Sequence, residues 1–394
     1  MYVVHIITRL IVGGAQENTV ASVLGLGRRA GTRVALLAGR TRGPEGTLEA
    51  LVAGVPGLLV RVPGLVRPLH PWNDVRALVF LTRWLRQERP GVVHTHSGKA
   101  GVLGRWAARR AGVPVIIHTI HGPSFGQFQG AWANAFYRAA ERAAGRVTTH
   151  FVGVAEAMIR QYLEAGIGQA DQYTRIFSGF DLEPFLSARD DPAFRRELGL
   201  APDDFVVGKV ARLFALKGHD DLLAVAPELC ARYPKLKLLL VGDGEWRGRF
   251  ERRVRRAGLA RRVVFSGLVL PQAVARYLGV MDVLVHLSRR EGLARVLPQA
   301  LAAGKPVIAF ACDGAPEVCV DHETGYLLPV GDRTGLCQRF GQLACDPELR
   351  VRLGRRGRQR VASCFGVEQM IEALHTLYTR LLAQTDRRSQ SAPC

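Results

Sequence analysis

The chain has 394 residues, 48% of them apolar, with 43 glycines and a formal net charge of +20. That length exceeds what one hydrophobic core serves, so two domains are expected, and the apolar share excludes a disordered chain. The seven cysteines show no CxxC spacing, which argues against a disulfide framework or a thiolate metal site and for reduced thiols.

Arginines are spread along the chain rather than gathered in one tail. Such a surplus serves solubility; as a functional signal it fits an anionic sugar nucleotide, an anionic membrane surface or nucleic acid. No uncharged run approaches the ~18–20 residues of a spanning helix. Residues 2–7 enter a strand at once and Arg9 follows, which is not a signal-peptide layout. The expected location is the cytoplasm, including the inner face of the cell membrane.

The first half alternates strand and helix. Apolar runs at 2–8, 33–38, 58–62, 92–96, 113–119 and 147–152 predict strands. Helical apolar spacing occupies 15–29, 73–87, 99–110, 131–144 and 155–164. A second series begins near Phe205. Strands are expected at 205–210, 237–241, 263–265, 281–285 and 307–310, and helices at 220–231, 246–257, 271–278 and 296–303. Residues 331–383 read as helices only, and 385–394 as a polar, disordered tail. Alternation of this kind implies parallel sheets covered by helices, with right-handed crossovers. The polar, proline-bearing stretch 178–191 separates the two series. The expected domains are therefore 1–180, 181–370 and a closing segment 371–394 whose helix is a candidate to cross back onto the first domain. The fold class is α/β, two Rossmann-like parallel-sheet domains facing a central crevice.

Candidate chemistry gathers at strand ends, where open α/β sheets bind ligands. Glu291 and Gly292 follow the strand at 281–285 and precede an apolar-periodic helix. N–H groups at a helix start suit a phosphate, and a glutamate there accepts from sugar hydroxyls. Gly13 and Gly14 let backbone approach a phosphate without a Cβ between, though they are not the full GxGxxG fingerprint. Arg212 and Lys217 lie just past a strand end, five residues apart, within reach of one anion. Taken alone, both also read as solvated loop cations. His121 follows the strand at 113–119, and His94 and His96 close the strand at 92–96. A metal site from His94, His96, His118 and His121 lacks a carboxylate or cysteine partner, so no metal ligand is assigned. Asp313, Gly314 and Glu317 either reach a ligand or cap the next turn.

In order, Gly13 and Gly14, VARLFALKGH at 210–219, VGDGEWR at 241–247, Glu291 and Gly292, and TGYLL at 324–328 span nearly the whole chain. Together they resemble the retaining glycosyltransferases of the GT-B fold, family four, the group 1 glycosyl transferases. The resemblance implies sugar transfer from a nucleotide-diphosphate donor with retention of anomeric configuration, without an obligatory metal or a cofactor. It implies that Arg212 and Lys217 clamp the diphosphate, that Glu291 meets the donor sugar, and that His121 positions it. Gly13, Gly14, Gly242, Gly292, Leu293, Ala294 and Gln299 complete the implied donor-binding set. Glu291 matches the first glutamate of the family's E-x7-E motif, but Gln299 stands at the second, eight residues on. Glutamine keeps the reach and an acceptor oxygen for ribose hydroxyls and loses the charge. His94 and His96 fall on the acceptor side, and IFSGFD at 176–181 takes the place of the family's hinge.

Family frequency favours UDP over GDP or ADP as donor base. The acceptor is an unassigned hydroxyl. The basic, aromatic-bearing segments 99–110 and 246–262 fit contact with an anionic membrane and hence a lipid-linked acceptor, as in cell-surface polysaccharide, lipopolysaccharide or glycolipid synthesis. A nucleotide-sugar epimerase or an inverting transferase shares the architecture but not the register of Arg212, Lys217 and Glu291. A nucleic-acid-binding protein is suggested by charge alone. The chain has no RNA-binding aromatic pattern, zinc spacing or basic tail, so nucleic acid is not an expected partner.

Overall fold

The short valine- and leucine-rich runs are apolar on both faces, as strands of a parallel sheet covered on both sides must be. They form two separate sheets. The computed structural model describes residues 1–41, 46–126 and 128–390, of which 388–390 only by their backbone. One compact unit comprises Met1–Phe180 and the residues from Val367 onward; the other is Asp181–Gly366.

The first unit begins β1 (Tyr2–Ile7), α1 (Gly14–Gly27), β2 (Arg33–Ala38), α2 (Glu49–Ala53), β3 (Leu59–Arg61) and α3 (Pro71–Glu88). It continues β4 (Val92–His96), α4 (Gly98–Ala111), β5 (Val115–Ile120), α5 (Ala131–Gly145), β6 (His150–Gly153), α6 (Glu156–Glu164) and β7 (Tyr173–Arg175). Its seven strands pair in parallel in the order β3-β2-β1-β4-β5-β6-β7. The order reverses between β1 and β4, the switch point at which such sheets open a ligand crevice.

The second unit opens with α7 (Glu183–Leu186), α8 (Pro192–Glu197), β8 (Phe205–Val210), α9 (His219–Arg232), β9 (Leu236–Val241) and α10 (Arg247–Arg256). Next come β10 (Val263–Gly267), α11 (Val274–Gly279), β11 (Val283–His286), α12 (Val296–Ala302) and β12 (Val307–Phe310). It ends with α13 (Ala315–Val318), β13 (Gly325–Leu328), α14 (Arg333–Cys345) and α15 (Pro347–Ala362). The parallel order here is β10-β9-β8-β11-β12-β13, with the reversal between β8 and β11.

The last helix, α16 (Val367–Gln390), packs with the first unit. Its stripe of Met370, Ile371, Leu374, Leu377, Tyr378 and Leu381 is buried against Val3, Val92, Val115 and Ile117. Each such apolar side chain contributes about 1.5–3 kcal/mol when fully buried. Gly25 of α1 is the contact that lets the helix sit so close, because a Cβ there would collide with Ile371. Val367 N–H donates to Phe180 O at 3.1 Å, so the chain leaves and re-enters this unit at one place.

Several details differ from expectation. The stretch 178–191 is not a bare linker: it carries α7, and Phe185 is buried. Asp191 then caps α8, its carboxylate accepting from Ala193 and Phe194 N–H ahead of Pro192, and this polar composition mimics a loop. The short elements α2, β7, α13 and β13 carry too few residues to show a period. Residues 385–390 are helical, not a disordered tail, while 391–394, with Cys394, lie outside the described residues.

Candidate active site

In the second unit, the loops beyond β8 and β11 are laced together. Leu216 has φ 66° and Gly218 φ 70°, and a Cβ at 218 would collide with Leu287 O, so glycine is required there. Leu216 O accepts from Arg289 N–H at 2.8 Å and from Ser288 Oγ at 3.2 Å. This lacing brings Lys217 Nζ into a hydrogen-bonded ion pair with Glu291 Oε1, 74 residues away in sequence.

Glu291 is also held by its backbone, whose N–H donates to Asp313 Oδ2 at 2.7 Å. Asp313 has φ 49° and thus serves as a prop for the glutamate. Burial pushes the Glu291 carboxyl up, but the Lys217 ammonium and hydrogen bonds from Lys217 and Ser288 outweigh it, leaving the group below the usual glutamate range. Arg212 is exposed, with its guanidinium 5.8 Å from the Phe214 ring centre, and makes no ion pair among the described residues. Arg289 is committed elsewhere, bonding Asp221 at 2.9 and 3.0 Å, and Arg333 joins it at 3.3 Å.

Gly242 (φ 129°) lies against Ala211 O, and Leu213 N–H donates to Asp243 O at 3.0 Å, so VGDGEWR packs on the Arg212 loop. Gly292, Leu293 and Ala294 precede α12, which has only seven residues; Gln299 lies within it, largely buried. Three further groups occupy this neighbourhood. Lys209 in β8, His219 at the start of α9 and His286 at the end of β11 are all buried, and the only sequence signal was a lysine inside the apolar FVVGKV. Burial takes the His286 imidazole down to about 3, so it is neutral at pH 7 despite Glu291 Oε1 at 3.8 Å.

In the first unit, Gly13 caps α1 and Gly14 opens it. His121 Nε2 lies 3.0 Å from His96 Nδ1, and His96 Nε2 lies 2.9 Å from His5 Nδ1. His94 contacts Tyr378 OH through Nδ1 at 2.5 Å and Thr119 Oγ1 through Nε2 at 2.6 Å. His94 and His96, expected on the acceptor side, are each 1% exposed, and all four ring nitrogens face protein groups. Their strand is buried on both faces, as a central strand of a covered parallel sheet is. Burial takes His5 down to about 3 and holds His94 and His96 well below the ordinary value, so these rings are neutral. His5, His94 and His96 bring one ligand atom each within 4.8 Å, close enough to hold a metal ion. That trio differs from the set considered from spacing, because His118 is turned to Thr95 Oγ1 at 2.9 Å.

Two family models match the chain: a glycosyl transferase 4-like domain over residues 14–177 and glycosyl transferases group 1 over 190–360. A GDP-mannose-dependent alpha-mannosyltransferase of Mycobacterium tuberculosis is 32% identical over 327 residues, 80% of this chain and 80% of that one. The chain belongs to the group 1 glycosyltransferases. It is also 26% identical to the Escherichia coli UDP-Gal:alpha-D-GlcNAc-diphosphoundecaprenol alpha-1,3-galactosyltransferase over 321 residues, 80% of this chain and 82% of that one. Anabaena HepE in complex with UDP-glucose has the same fold, with a TM-score of 0.81 at 21% identity, over 96% of this chain and 100% of that one. The two parallel-sheet units of this group 1 glycosyltransferase are those of the GT-B fold, and the chain acts on nucleotide-sugar donors.

Proposed function

We propose that this glycosyltransferase moves a sugar from a UDP-sugar to a hydroxyl of a lipid-linked acceptor, with retention at the anomeric carbon. The observation that carries the reading is the meeting of Lys217 and Glu291 at the carboxyl ends of β8 and β11, with exposed Arg212 in the same loop after β8 as Lys217. Two cations there suit a departing diphosphate, and one carboxylate suits sugar hydroxyls. The acceptor oxygen attacks the anomeric carbon on the face from which the diphosphate leaves. The bond from that carbon to the diphosphate breaks, and the freed diphosphate oxygen takes the acceptor proton. Lys217 turns from Glu291 to the diphosphate, which leaves the carboxylate to the sugar. His121 keeps the sugar-positioning role implied by the resemblance. No step calls on a metal ion or a cofactor.

UDP is supported by the donor in the Escherichia coli relative's name and by the UDP-glucose bound to HepE; the GDP-mannose-dependent relative is the counterweight. Thermal unfolding with UDP, GDP, ADP or CMP tests the assignment. UDP is expected to raise the transition most, by about 2.7 kcal/mol of stabilisation at a hundredfold excess over Kd. A larger shift with GDP would move the donor to a GDP-sugar, and no shift with any nucleotide would remove the site.

The lipid-linked acceptor is supported by that relative's diphosphoundecaprenol acceptor and by one surface of the first unit. No helix among the described residues is long and apolar enough to cross a membrane. In the segments 99–110 and 246–262, Lys99 is paired with Asp74 at 2.5 Å, Arg105 is buried and Trp246 is covered by Arg249 at 4.3 Å, while Arg109, Arg110, Arg252, Arg255, Arg256 and Arg261 are exposed. In addition, Trp72 is 82% and Trp132 is 91% exposed, at the starts of α3 and α5, with α4 packed against both helices. Leu69, Val75 and Phe136 are further exposed apolar side chains of these segments, and Arg67, Arg76 and Arg83 are exposed as well. Tryptophan and arginine so placed fit the headgroup level of an anionic bilayer, at the inner face of the cell membrane. The double variant Trp72→Ala, Trp132→Ala is expected to bind phosphatidylglycerol vesicles at least tenfold more weakly, about 1.4 kcal/mol. Unchanged co-sedimentation would remove this surface from the reading.

A further inference from the structure

Within the electrostatic reach of the Lys217–Glu291 pair lies a buried lysine whose Nζ has no hydrogen-bond partner. Lys209 is 0% exposed, in register with Leu240 and on the same face as Val207, inside the apolar core of the second unit. Its Nζ makes no hydrogen bond, nor does either ring nitrogen of His219 or Nε2 of His286. An ammonium buried in this way destabilises a fold unless an opposite charge compensates it. The charged groups acting on it are Lys217 from the loop after β8, Asp221 from α9 and Glu291 from the loop after β11. Burial first, and then Lys217, draw the lysine down to about 7, while Glu291 and Asp221 hold it up. Asp221 is already claimed by Arg289 and Arg333. The neighbouring rings supply no charge, since burial takes His219 down to about 2 and His286 to about 3. Arg290 also acts on Glu291, but Asp313 draws it more strongly.

We infer that Lys209 is a positioning residue, a buried ammonium that becomes the counter-charge of Glu291 when Lys217 turns to the donor diphosphate. The inference rests on the reading that Lys217 makes that turn. The turn strips Glu291 of its partner and removes the charge that opposes protonation of Lys209. Both changes favour a proton on Lys209, taken from solvent. Glu291 then stays ionised and keeps its acceptor oxygens for the sugar.

The test uses full-length protein and needs no substrate. Carboxyl carbons of labelled glutamate are titrated by NMR in Lys217→Met, which mimics the departure, and in Lys217→Met with Lys209→Met. The Glu291 signal is assigned by its loss in Glu291→Gln. The double variant is expected to titrate about one pH unit higher or more; equal midpoints would overturn the proposal. Lys209→Met alone should raise the melting temperature, and by more at pH 6 than at pH 9. The sign follows because a lysine lowered from 10.5 to about 7 on folding carries its full penalty below 7 and loses it as pH rises to 10.5. A single variant less stable than wild type at pH 6 would make Lys209 a structural residue and also overturn the proposal. Neither readout uses turnover, so an active Lys217→Ala enzyme would sink the functional assignment separately.

Discussion

Replacing Lys217 with Ala is expected to lower kcat/KM for the nucleotide sugar roughly 10²–10³-fold, about 2.7–4 kcal/mol of transition-state stabilisation. The ammonium sits at the end of a loop shaped by the positive φ of Leu216 and Gly218, and 18% of its side chain remains exposed. It is thus preorganised by the backbone yet able to exchange Glu291 for a phosphate oxygen. Charge stabilisation of a leaving diphosphate grows as the bond breaks, so the loss should fall on kcat as well as KM. Release of nucleotide diphosphate from the donor measures it, with circular dichroism to establish that the variant is folded. Lys217→Arg retains the charge on a bulkier fork and should recover part of the rate. A loss under threefold for Lys217→Ala would remove this residue from the chemistry.

The meeting of Lys217 with Glu291 was legible because each follows the end of an apolar strand, and parallel sheets gather strand ends on one edge. What could not be read were polar residues inside such strands. His5 in YVVHII and Lys209 in FVVGKV vanish into apolar runs, since a periodicity averages over a window and one polar residue does not break it. His94 and His96 show a related limit, since their burial could not be read. They end a strand, which points toward a ligand, but β4 is a central strand covered on both faces, and which strand is central depends on pairing across the whole sheet. The role of Asp313 was hidden too, because its grip on the Glu291 N–H spans 22 residues and a left-handed backbone turn. Apolar spacing located the long helices, whereas the four residues of β13 or α7 are too few to establish a period.

The arginines of the basic segment 99–110 sit in different environments: Arg109 and Arg110 are exposed, whereas Arg105 is not. Arg105 points inward from α4, 0% exposed: Nε donates to Gly101 O at 2.8 Å and one terminal nitrogen to Glu141 Oε2 at 2.5 Å. Glu141, on α5 and 1% exposed, accepts at its other oxygen from Ser124 Oγ at 3.0 Å. A buried pair of this kind offsets its own desolvation only while both members and their hydrogen bonds are present. Glu141→Ala is therefore expected to destabilise the first unit by about 3–5 kcal/mol, because the guanidinium would stay in the core without its counter-charge. For a unit of this size the transition should fall by roughly 10 °C. Two units need not unfold together, so the change is to be read from a probe in the first, such as fluorescence of Trp72, Trp84, Trp106 and Trp132 with Trp246 replaced by Phe. Replacing both partners, Arg105→Met with Glu141→Leu, removes the stranded charge and should restore most of the loss. A Glu141→Ala penalty below about 1 kcal/mol, the range of an exposed pair, would mean that water reaches the guanidinium and that α4 and α5 are less tightly closed over it than the structure shows.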